Sequence, residues 1–201
     1  MLKHIIKHSF GSFRSVVVIG ITFALSSGAF ASSKTKLENK YLGRVIHPKV
    51  NIHVESRGGN YHFYSTNHIG LPIVIPVGAD LSVTEITSDS MLLAYDKEHV
   101  KVKMDYVEKH NRMPMAQWLE RDFSLEPVSL PDGLTDKEKK AIKAGEAEIG
   151  MSRKAVFLAI GYPPASLSAS PDATRLLYEK KRFNRVEYMF DEKDKLVHIK
   201  N

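Results

Sequence analysis

The chain has no cysteine. Disulfide staples, thiolate zinc sites and cysteine-nucleophile chemistry are thereby excluded, and an apolar core must supply the stability. The residue that carries a lipid at a processed N-terminus is missing too, so no lipid anchor is expected. Charge of one sign is not concentrated anywhere. The formal net charge is +6, but acidic and basic residues are interspersed, with none of the cationic stripes that nucleic acids require. No nucleic-acid partner is expected. Long apolar runs are also lacking. The run from Val16 to Leu25 is about half the roughly 20 residues that span a bilayer as a helix.

That short run has a context. Lys3, Lys7 and Arg14 precede it without any acidic residue, and Ala29-Phe30-Ala31 follows it. Basic, apolar and small-residue segments in that order read as a secretory signal peptide over residues 1–31, cut after Ala31. The expected mature chain starts at Ser32 and has no membrane-spanning segment. Its net charge falls from +6 to +3, because the three signal cations leave with the peptide. The expected location is the periplasm or the envelope.

Residues 32–44 are polar and read as a flexible lead-in. From residue 45 to residue 124 the pattern is mostly that of strands. Val50, Ile52 and Val54 alternate with polar neighbours, as do Val100, Val102, Met104 and Tyr106. Arg57-Gly58-Gly59-Asn60 is a turn signal. Pro72 and Pro76 demote the stretch between them to an edge, kink or loop, since proline cannot donate to a ladder. Short strands at this spacing predict a small antiparallel domain, SH3-like in shape. It ends in a short helix, Met113 to Asp122, with Trp118 and Leu119 facing inward. Residues 125–134, with two prolines and a glycine, read as a linker.

The period changes after the linker. Thr135 and Glu138 form a capping box. Ala141, Ile142, Ala144 and Ile149 follow as a helical stripe that Gly150 stops. Ser152 caps a second helix that buries Ala155, Val156, Ala159 and Ile160, and Gly161 with Pro163-Pro164 ends it. Three strands follow, about 174–180, 185–190 and 196–199. The predicted class is therefore α+β, with residues 135–201 forming two helices on a three-stranded antiparallel sheet.

Residues Ile149-Gly150-Met151-Ser152-Arg153-Lys154-Ala155-Val156 and Leu158-Ala159-Ile160-Gly161-Tyr162-Pro163 resemble the signature of the SmpA/OmlA (BamE-like) outer-membrane-assembly lipoprotein domain. Tyr178, the strand from Arg185 to Phe190, and Phe190-Asp191 resemble that family's final strands. The resemblance covers about residues 135–199. It implies a non-catalytic adaptor in outer-membrane or envelope assembly and integrity, with another envelope protein as its partner. The absent cysteine departs from the family's usual lipoprotein form. Each matched residue has a structural role, so no partner-contacting residue transfers.

Candidate chemistry is thin. His47, His53, His62 and His68 fall in the first strands, but they lack the helical spacing of zinc enzymes, and acidic residues are missing between Arg57 and Ala79. No metal, cofactor or catalytic residue is expected, nor an enzyme. Ser65 and His68 flank a strand end rather than form a triad. Asp191, Glu192 and Asp194 read as a solvated turn rather than a calcium loop. Tyr61, Phe63, Tyr64 and Tyr95 are the candidate binding residues: on an open face they offer a platform for peptide or glycan, and otherwise they are core and cross-strand pairs. The alternative function is accordingly a peptidoglycan- or glycan-binding module built on the β-rich part. A hydrolase using the histidines is a third reading.

Overall fold

The structure, a computed structural model, describes residues 26–181 and 183–201. The basic and apolar parts of the expected signal peptide, residues 1–25, lie outside the described residues. Helix α1 (Ser26–Tyr41) crosses the expected cleavage junction and continues through most of the segment expected to be flexible. Its last turn is held because Leu37 and Tyr41, four residues apart, both bury against the core. Two apolar residues in the otherwise polar stretch from Ser32 to Tyr41 give too weak a stripe to read in advance. No helix among the described residues is long and apolar enough to cross a membrane.

Eight strands form one sheet. They are β1 (Val45–Pro48), β2 (Ile52–Arg57), β3 (Asn60–Tyr64), β4 (Ile73–Ile75), β5 (Leu81–Ile86), β6 (Ser90–Tyr95), β7 (Val100–Asp105) and β8 (Phe123–Ser124). Their order is β4-β2-β3-β7-β6-β5-β1-β8. Gly58 and Gly59, both at positive φ, make the tight turn between β2 and β3. Strand β4 fits between Pro72 and Pro76 and sits at the edge, where a missing N–H is tolerated. Strands β5, β6 and β7 form a meander whose last member lies parallel to β3, Phe63 opposite Met104. Two short helices, α2 (Glu108–Asn111) and α3 (Met115–Asp122), follow β7, and α3 buries Trp118 and Leu119 in the first core. Each fully buried Leu, Ile or Val there contributes about 1.5–3 kcal/mol.

Beyond residues 125–134 come α4 (Asp136–Ala144), α5 (Arg153–Ile160), β9 (Arg175–Lys181), β10 (Asn184–Phe190) and β11 (Leu196–Lys200), the three strands forming an antiparallel meander. A second core gathers Val156, Ile160, Leu176, Tyr178, Val186 and Leu196. Helix α4 stops earlier than its apolar pattern suggests. Gly145 takes the left-handed cap at φ 71°, which glycine does at little cost. Ile149 is consequently left 55% exposed instead of buried.

The expected fold class is corrected. The chain does not form a small antiparallel SH3-like sheet followed by a BamE-like domain of two helices and three strands. Among the described residues it has five α-helices, a mixed eight-stranded sheet and a separate three-stranded sheet. Alternation of apolar and polar residues shows that a strand has a buried face, but not which strand lies beside it. The parallel β3–β7 pairing was invisible for that reason.

Candidate functional site: a polar seam and the cleft beside it

The two cores meet across buried polar groups. A helix leaves its last carbonyls short of partners, and here Asn51 and Asn67, in the loops before β2 and after β3, donate to three of them. Asn51, 1% exposed, donates its side-chain amide to the carbonyls of Ile142 in α4 (2.5 Å) and Ala159 in α5 (3.2 Å). Its Oδ1 accepts the Val77 N–H at 3.0 Å, and its own N–H donates to the Leu158 carbonyl at 2.9 Å. Asn67 repeats the device. Its Oδ1 accepts the His53 N–H at 2.9 Å, and its Nδ2 donates to the Ile160 carbonyl at 2.7 Å. Asn67 sits at φ 47°, a conformation that asparagine tolerates better than most residues.

Gly161 lets this contact close. A Cβ on it would lie 2.3 Å from Asn67 Nδ2. The Tyr178 hydroxyl donates to the Gly161 carbonyl at 2.9 Å. His53 is also in the seam, with ring nitrogens 3.5 Å from the Leu71 carbonyl and 3.4 Å from the Ala159 carbonyl. Burial pushes its pKa below the ordinary value despite both carbonyls. A neutral ring has one N–H and so satisfies one of the two.

On the other side of the second core, Glu138 ties the two helix N-termini together. Its carboxylate accepts from the N–H and hydroxyl of Thr135, and from the N–H and hydroxyl of Ser152, the latter pair at 2.8 Å. Burial opposes its ionisation, but these hydrogen bonds prevail and hold its pKa at about 2.

Outside the seam lies a cleft of about 940 Å³, opened between the β2–β3 and β9–β10 hairpins. Beneath it the Ile69 N–H donates to the Glu179 carbonyl and the Gly70 N–H to the Lys180 carbonyl, so residues 69–70 add a rung beside β9. Gly70 is required for that approach, because a Cβ there would be 2.4 Å from the Lys180 carbonyl oxygen. His68 Nε2 lies 3.1 Å from Glu179 Oε2, and the Tyr64 ring leans on the His68 ring with centroids 5.8 Å apart. Lys109, Lys181 and Phe183 stand exposed on the walls.

The candidate aromatic residues do not share a surface. Phe63 and Tyr95 belong to the first core, and Tyr61 packs partly against it while its hydroxyl bonds Glu98. Tyr64 points to the opposite face of β3, as strand periodicity requires, and alone of the four lines the cleft. The histidines are dispersed. His47 pairs with Asp80 at 3.1 Å, His62 with Asp105 at 2.8 Å, and His53 is in the seam. Among the described residues no group of three His, Asp or Glu side chains is disposed to hold a metal ion. Ser65 Oγ accepts from the Val107 N–H and the Asn111 amide, which is a structural use of the hydroxyl. Asp191 Oδ1 accepts the N–H groups of Lys193 and Lys195, closing a turn.

Sequence reasoning missed Asn51 and Asn67. Asn51, between Val50 and Ile52, read as the outward-facing polar member of an alternating strand, so its burial left no local signal. Asn67 sits in a polar tetrad and had no signal either. Comparison of the chain with family models, curated proteins and solved structures gave no match.

Proposed function

We propose that this chain is an exported, non-catalytic binding protein of the bacterial envelope, acting as an adaptor for another envelope protein. The cleft carries the reading: an open recess beside the seam where buried hydrogen bonds join the two parts of the chain. The non-catalytic part rests on the dispersal of the histidines: His47 lies beside Asp80, His62 beside Asp105 and His68 beside Glu179, while His53 is in the seam. Export rests on the order of segments in residues 1–31, and the resemblance of residues 149–163 to an outer-membrane-assembly signature points to the same compartment. Periplasmic extraction followed by intact-mass measurement tests export: the expected mass is that of residues 32–201 without acyl chains, and retention of residues 1–31 would contradict it. Sedimentation with purified peptidoglycan separates the adaptor from the wall-binding alternative. An adaptor stays in the supernatant, and saturable co-sedimentation would favour the alternative.

A further inference from the structure

We infer that the cleft between the β2–β3 and β9–β10 hairpins receives an extended acidic segment of a protein partner, with carboxylates set beside an apolar side chain. The inference rests on the reading of the chain as an adaptor and names the chemistry of its partner. Two observations carry it, charge and lining. Both carboxylates lining the cleft are already engaged: Glu55 with Arg57, and Glu179 with His68. The ammonium groups of Lys109 and Lys181 line the same recess and are exposed, with no ion pair or hydrogen bond among the described residues. The unneutralised charge of the cleft is therefore positive, and its complement is an anion.

Apolar side chains line the same recess among polar ones. Leu71, Pro72 and Val107 contribute aliphatic wall, and Phe183, 87% exposed, stands at one rim. A neutral sugar offers no charge to the two ammonium groups, whereas a peptide carrying carboxylates does. Such a segment gains by burying its apolar side chain against Leu71 and Val107 while its carboxylates meet Lys109 and Lys181. The cations set orientation and discriminate against basic partners, and the apolar wall supplies the area term.

The test is a titration of the full mature protein with a short fluorescent peptide in which glutamates flank a central phenylalanine, read by anisotropy. The wild-type protein is expected to bind it, and more weakly as salt screens the exposed ammonium groups. The same peptide with glutamines for glutamates is expected to bind at least about tenfold more weakly. The double variant Lys109→Glu, Lys181→Glu should lose at least about tenfold, whereas Lys140→Glu, Lys143→Glu on α4, with the same change in net charge, should bind as wild type does. Should the charge reversal lower the melting temperature, Lys109→Gln, Lys181→Gln replaces it, with a smaller loss expected. Equal affinity for both peptides, equal loss in the α4 variant, or no binding by the wild-type protein would overturn the inference. So would preferential displacement of the peptide by soluble muramyl-glycan fragments, which would assign the cleft to saccharide. An exported protein that crosslinks to envelope proteins elsewhere on its surface, yet ignores the acidic peptide, overturns this inference and leaves the adaptor reading standing.

Discussion

Asn51 holds groups from three parts of the chain at once: the carbonyls of Ile142 and Ala159, and the N–H of Val77. Alanine at this position leaves a buried amide and two carbonyls without that partner. Each unsatisfied buried group costs about 1–3 kcal/mol, so Asn51→Ala should destabilise the protein by at least about 2 kcal/mol, measured by urea unfolding. Lys143→Ala, on an exposed turn of α4, should change it by less than about 0.5 kcal/mol. Comparable effects from the two would remove the seam as a source of stability. Glu138 makes a different prediction, set by pH. Its folded pKa of about 2 lies below the reference value of 4.5. The unfolded chain therefore binds the proton first, and the stabilisation is complete above pH 4.5 and lost as pH falls toward 2. The whole loss is about 3 kcal/mol. Denaturant midpoints measured between pH 6 and pH 3 should fall across that window, and the fall should be smaller in Glu138→Gln, whose side chain does not titrate.

At the scale of elements, the caps were legible and the neighbours were not. Thr135 with Glu138, and Ser152 with the Ala155 N–H, are local devices whose partners lie three residues away. Gly161 ends α5 as its position before two prolines implies. The second role of Glu138, accepting from Ser152, joins two elements and leaves no trace in the local pattern. Helix α5 offers a direct check on packing. Ile160 is buried at 2% exposure, and Lys154 on the same helix is exposed. Ile160→Ala should cost about 2–5 kcal/mol through lost burial and a residual cavity, and Lys154→Ala less than about 0.5 kcal/mol. Thermal melts of the two variants decide it. Equal shifts would mean that α5 presents a different face to β9–β11.

The whole molecule shows where reading from sequence ends. Periodicity placed most strands, but the order of eight strands depends on long-range pairing, as in β3 beside β7. The cleft was illegible for a related reason. Tyr64, Lys109 and Lys181 come from three distant stretches of chain: the β3–β7 pairing sets Tyr64 near α2, and the bonds from residues 69–70 to β9 add Lys181. Tyr61, Phe63 and Tyr95 looked equivalent to Tyr64 by residue type, yet core packing buried Phe63 and Tyr95, and Tyr61 is partly buried beside them with its hydroxyl bonded to Glu98.

The central claim is that this recess is where an exported adaptor meets its protein partner. A photo-crosslinking amino acid placed at position 183, on the rim of the cleft, and in a second strain at position 143 on α4, tests it in intact cells. The account predicts a discrete adduct with an envelope protein from position 183, absent from position 143 and lost when Lys109→Glu and Lys181→Glu are added. Adducts of equal yield from both positions, or adducts only with cytosolic proteins, would contradict it.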